Sequence, residues 1–139
     1  GAVGVWHTVK HNSTLFILYI FLLVLTSCNG GPELKIVTPL EAYGMVRNDF
    51  GVLVDLRLDS KLIAQGALLL PASKIVAQDS SVVKIINKIS KQKTVLLYGD
   101  KLSIDTPVVV KLHDLGFQLA YLGTFTDWEK AKLPTALRR

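Results

Sequence analysis

Thr94-Val-Leu-Leu-Tyr98, followed by Gly99-Asp-Lys-Leu-Ser-Ile-Asp105 and then Thr106-Pro107, decides the architecture. The first five residues form the clearest central strand in the chain, a short apolar run bounded by turn-forming residues. The next seven are mostly polar and turn the chain. Thr106-Pro107 then opens a helix, because proline is well tolerated in a first turn whose N–H groups are unpaired anyway. Val109, Leu112 and Leu115 are predicted to face inward from this helix, and Gly116 to stop it.

The same alternation extends outward in both directions. Val52-Leu-Val-Asp-Leu56 is an apolar run broken by one acid, as in a strand buried on both faces. Ala67 to Leu70, closed by Pro71, and Phe117 to Leu122 are further strands, and Leu34 to Val37 is a short first one. Thr38-Pro-Leu-Glu41 has the form of a capping box and predicts a helix from Pro39 to Val46. Asp79 or Ser80 caps a helix with Val82, Val83, Ile86 and Ile89 on one stripe. Thr126-Asp-Trp-Glu129 reads as a second capping box, beginning a short helix that ends before Pro134. Strands alternating with helices across short loops predict an α/β fold, a parallel sheet with helices on both faces. In such sheets ligands bind beyond the carboxyl ends of strands, next to helix N-termini. The loop from Gly99 to Asp105 is the best placed for this.

The 139 residues allow one domain behind an export segment. Lys10 is the only Lys, Arg, Asp or Glu up to Ser27, so the remainder carries 15 of the 16 basic residues against all 11 acids. This surplus is mild and spread out, without an arginine-rich stripe, so nucleic acid is not expected as a partner. The single cysteine excludes an internal disulfide and a thiolate metal site. No metal ligand set and no cofactor is assigned.

Leu15 to Leu25 is eleven apolar residues without interruption. A spanning helix needs about 20, so the run fits the apolar core of a signal peptide instead. It leads into Leu25-Thr-Ser-Cys28, which resembles the bacterial lipobox: an aliphatic residue, two small ones, and the cysteine that receives the lipid. Residues 1–27 are therefore expected to be a signal peptide and Cys28 the lipidation site. Residues 28–33 would form a tether and 34–139 the folded domain. Membrane lipid is the partner expected through Cys28, with the domain exported and held at a bacterial membrane.

The order of four stretches resembles the rhodanese (sulfurtransferase) domain. They are Val52-Leu-Val-Asp55-Leu-Arg57, Gly66-Ala-Leu-Leu-Leu-Pro71, Thr94 to Tyr98 with its loop, and Leu115-Gly-Phe117 with Gly123 through Trp128 to Leu133-Pro134. The resemblance covers nearly all of the chain after Leu34. In that family a cysteine follows the central strand, its pKa lowered by loop N–H groups and the next helix N-terminus. An arginine five residues later often closes the loop. Here these positions are Gly99 and Ile104, so the resemblance implies the fold without sulfur transfer. No catalytic residue is assigned, and the loop Gly99, Asp100, Lys101, Ser103, Ile104 and Asp105 is expected to bind a protein partner or a small polar ligand. Asp55 and Arg57, the family's D-x-R, are expected to brace the backbone of that loop. The competing reading is an enzyme, a sulfurtransferase using another chain's cysteine or a hydrolase or transferase using Asp100 or Ser103. A Ser103–His113 pair is disfavoured because His113 lies two turns into its helix, and Trp128 reads as core.

Overall fold

From Leu34 onward the chain alternates β1 (Leu34–Ile36), α1 (Pro39–Arg47), β2 (Gly51–Asp55), β3 (Leu62–Ala64), β4 (Leu68–Leu69), α2 (Ala72–Val76), α3 (Ser80–Ile86), β5 (Thr94–Gly99), α4 (Thr106–Asp114), β6 (Gln118–Thr124), α5 (Phe125–Lys130) and β7 (Thr135–Leu137). The structure is a computed structural model that describes residues 34–139. The signal-peptide, Cys28 and tether expectations for 1–33 lie outside these residues.

Five strands form one sheet in the order β1-β6-β5-β2-β4, and every pairing in it is parallel. Register aligns Val54 with Leu97 and Leu97 with Tyr121, so like-facing residues line up across the three central strands. Alternate strand positions feed two apolar layers. Val54, Val95, Leu97, Leu119 and Tyr121 pack with Ile75, Val82, Ile86, Val108, Val109 and Leu112 of α2, α3 and α4. Leu53, Leu96, Tyr98, Ala120 and Leu122 pack with Ala42, Phe125 and Trp128 of α1 and α5. Both faces are covered, as the continuous apolar strands require. This is an α/β fold, consistent with a rhodanese-like layout.

Four details differ from the sequence reading. The second capping box is Thr124 with Asp127, not Thr126 with Glu129: Thr124 Oγ1 accepts from the Asp127 N–H, and the Thr124 N–H donates to Asp127 Oδ2 at 3.1 Å. The helix starts earlier because Phe125 must be buried. Gly123, at φ 95°, makes the bend, and a Cβ there would lie 2.7 Å from Asp127 Oδ2. Leu115 is 39% exposed, because the helix has ended: its N–H and that of Gly116 turn back to the Lys111 and His113 carbonyls. A two-stranded antiparallel piece, β3 with β7, and the short helix α2 have no counterpart in the sequence pattern.

The Thr124 bonds hold the Asp127 carboxyl below its ordinary value of 3.8. A depressed carboxylate stabilises fully above its unfolded pKa, and that support is lost as pH falls through the lower folded value. Asp127→Ala is expected to cost about 1 kcal/mol at pH 7. Urea melts of the two proteins should converge as the pH is taken below 3.8; a gap that persists in acid would refute the cap's charge dependence.

Candidate functional site

Parallel strands place all their carboxyl ends on one rim, and the middle of that rim is where β5 hands over to α4. Gly99 closes β5 opposite Thr124 of β6, after a register shift. The loop that follows reaches Asp105, which precedes α4 without making a side-chain cap bond. Gly99, Asp100, Lys101, Ser103, Ile104, Asp105 and Arg57 line a cavity of about 150 Å³, completed by Leu56, Ala72, Val108 and Tyr121. At about 30 Å³ for each water, that space holds only a few waters, and an open groove of about 770 Å³ beside it shares Leu56, Ala72, Asp105 and Val108. A Cβ added at Gly99 would find Leu56 Cβ at 3.8 Å as its nearest neighbour, an ordinary contact. The backbone therefore has room for the side chain that this sequence does not supply.

Asp55 lies beneath this cavity and does not line it. It is fully buried at the end of β2 and carries a bidentate pair with Arg57, with Nη2 to Oδ2 at 2.8 Å and Nε to Oδ1 at 3.1 Å. The Arg57 N–H also donates to Oδ1 at 2.9 Å, and the Tyr98 hydroxyl donates to Oδ2 at 2.8 Å. Burial opposes the Arg57 charge, yet the hydrogen bond and attraction of Asp55 raise its pKa above the ordinary value. Burial pushes the Tyr98 hydroxyl far upward, so it stays a neutral donor. The guanidinium also lies 4.2 Å from the centre of the Phe125 ring, within cation–π range.

This network corrects the expected role of Asp55 and Arg57. Among the described residues, the hydrogen bonds of Arg57 reach Asp55 and, through Nη2 at 2.6 Å, the Leu62 carbonyl; none goes to the backbone of 100–105. The Tyr98 hydroxyl accepts from the Ala64 N–H at 3.0 Å. The pair therefore braces β3, because the chain leaving β2 turns Arg57 back over Asp55 towards Leu62. Arg57 also lines the cavity, with a side chain that is nearly buried and already paired with Asp55.

The Gly99–Asp105 loop is held differently. Tyr121, on β6, donates a hydrogen bond to the Lys101 carbonyl. Burial raises the Tyr121 pKa, and the charges of Asp127, Asp100 and Asp105 raise it further. Lys101 Nζ is 3.9 Å from Asp105 Oδ2, an exposed pair worth little by itself. Among the described residues, no N–H from Asp100 to Asp105 donates to another backbone group. Asp100 and Ser103 are both exposed, and among the described residues neither has a basic partner within hydrogen-bond distance. His113 is at the opposite end of the sheet, beside Thr94, Phe117 and Gln118. No Ser103–His113 pair forms.

Tyr98 and Tyr121 carry the geometry of this end, and neither was singled out as a site residue. The available signal was a phenol in an otherwise aliphatic buried strand, whose hydroxyl needs a partner. Trp128 is fully buried, in accord with its reading as core.

No protein-family profile matches the chain, and no curated protein matches it in sequence. Solved structures of similar shape do exist. A full-length protein from Lactobacillus plantarum is 17% identical, with 92% of this chain and 99% of that chain covered at a TM-score of 0.61. A protein from Bacillus halodurans is likewise 17% identical, with 90% and 85% covered at a TM-score of 0.58. At these identities the likeness is one of fold.

Proposed function

We propose that the domain is a rhodanese-like binding module without sulfurtransferase activity, carried on an exported protein anchored through a lipid on Cys28. One observation carries the reading: Gly99 occupies the strand-end position where the resembling family has its nucleophile, and it opens on a cavity that still has room for a side chain. The surrounding loop borders an open space and supplies no thiol. The charged part of the lining favours a polar ligand, since Arg57 and Lys101 are set against Asp100 and Asp105 around the cavity. This mixed charge suits a dipolar or zwitterionic group better than a simple anion.

The direct test measures sulfur transfer from thiosulfate to cyanide by the natural chain and by Gly99→Cys. Background turnover is expected for the natural chain, and turnover above it would overturn the proposal. Gly99→Cys is expected to fold normally, since its Cβ meets nothing closer than 3.8 Å. The anchor is tested by acyl labelling and detergent partitioning against Cys28→Ala. A variant still labelled and processed as before would refute lipidation at Cys28.

A further inference from the structure

We propose that the amino end of the sheet is a lipid-facing surface that takes anionic headgroups and leaves the Gly99 cavity pointing away from the bilayer. The proposal rests on the membrane anchoring proposed above only for bringing the domain to the surface.

Because the strands are parallel, the connections that precede them share one end. Lys35 in β1, Arg47 in the last turn of α1, and Lys111 in the last turn of α4 are there. Lys88, Lys91 and Lys93 stand in the connection leading into β5. Among the described residues, the acids at this end are Asp49, taken up by Lys93 at 2.6 Å, and Asp114, which lies 4.0 Å from His113. At the opposite end the charges come closer to balance. Glu41 and Asp127 occupy the first turns of α1 and α5, and Asp59, Asp100 and Asp105 are exposed, against Lys61, Lys101 and Arg138, whose N–H donates to the Lys61 carbonyl; Asp55 and Arg57 cancel each other. The surplus of positive charge is therefore separated to one end of the strand axis.

Distance makes this separation effective. The six residues of β5 span about 20 Å, more than twice the Debye length of about 8 Å at physiological salt. A charged plane below the domain is therefore felt mainly by the basic end. Phe50, 66% exposed and next to Asp49, adds an apolar ring at the same end, suited to the headgroup boundary. The chain enters the domain there too, since β1 begins at Leu34. Cys28 precedes Leu34 by six residues, a reach of at most about 20 Å, so a lipid on Cys28 would hold this end close to the membrane.

The test is lysine labelling of the full acylated chain on vesicles, with a membrane-impermeant amine reagent and site-by-site mass spectrometry. On vesicles containing phosphatidylglycerol, Lys35, Lys88 and Lys91 are expected to label about fivefold more slowly than on pure phosphatidylcholine. Lys61 and Lys101 should label alike on both. Salt at ~0.5 M should abolish the protection, because the attraction is screened. Equal labelling on the two vesicles, protection that survives salt, or protection of Lys101 would overturn the proposal. So would protection of the same lysines by a DNA duplex and not by vesicles. The two readings fail separately. An acylated chain whose lysines label alike refutes the basic face. A Cys28→Ala chain that keeps its acyl label, with the lysine pattern retained, refutes only the anchor.

Discussion

Replacing Asp55 by alanine is expected to remove about 3–5 kcal/mol of stability, a large part of the ~5–15 kcal/mol that holds a typical domain together. The carboxylate is fully buried, and three donors converge on it: the Arg57 guanidinium, the Arg57 N–H and the Tyr98 hydroxyl. Alanine would leave a guanidinium that is itself almost completely buried without its counter-charge. The surviving partners, the Leu62 carbonyl and the Phe125 face, cannot neutralise it. With a urea slope of ~1–3 kcal/mol/M, the midpoint should fall by more than about 1 M. Pairing Asp55→Leu with Arg57→Met should recover much of the loss, since a buried ion pair is often no better than well-packed apolar groups. A single variant within about 1 kcal/mol of the natural chain would mean that water reaches the pair and the network is not structural.

The second large effect is expected at Trp128. Its ring is fully buried and meets Tyr43 edge-on at 6.1 Å. Its Nε1–H donates to the Pro134 carbonyl at 2.8 Å, and the Gln65 N–H donates to the same oxygen at 3.0 Å. One carbonyl therefore joins α5, the end of β3 and the approach to β7. Trp128→Ala should cost about 3–5 kcal/mol through lost burial and the cavity left behind. Trp128→Phe keeps most of the packing but removes a donor, and should cost about 1–3 kcal/mol. Urea melts of the two variants separate packing from bonding. Equal losses would assign the effect to the hydrogen bond and contradict the packing account.

The parts of this fold that showed in the sequence are those fixed by local pattern. Val52–Leu56 and Thr94–Tyr98 are continuous apolar runs, and Thr38 with Glu41 is a cap whose partners are three residues apart. β3 and β7 do not show in the sequence because each is stabilised by the other across the chain. The misplaced cap shows a different limit. Thr124-x-x-Asp127 and Thr126-x-x-Glu129 are equally good patterns, and burial of Phe125, a tertiary property, selects the first. At the candidate site, the absent side chain at Gly99 was visible at once. The Asp55–Tyr98 bond was not, because it joins residues far apart in sequence that meet only when β2 and β5 are in register.

The pairing of β1 with β6 has a consequence for how the domain comes together. Leu34 is matched with Leu119, and Ala64 with Thr135, so early segments find their partners only in late ones. Contacts between such distant segments form slowly, because a long loop must close before they contribute. A growing chain can build β2 and its neighbouring helices, but its first strand has no place until Gln118–Thr124 has been made. The sheet is therefore completed from its centre outward.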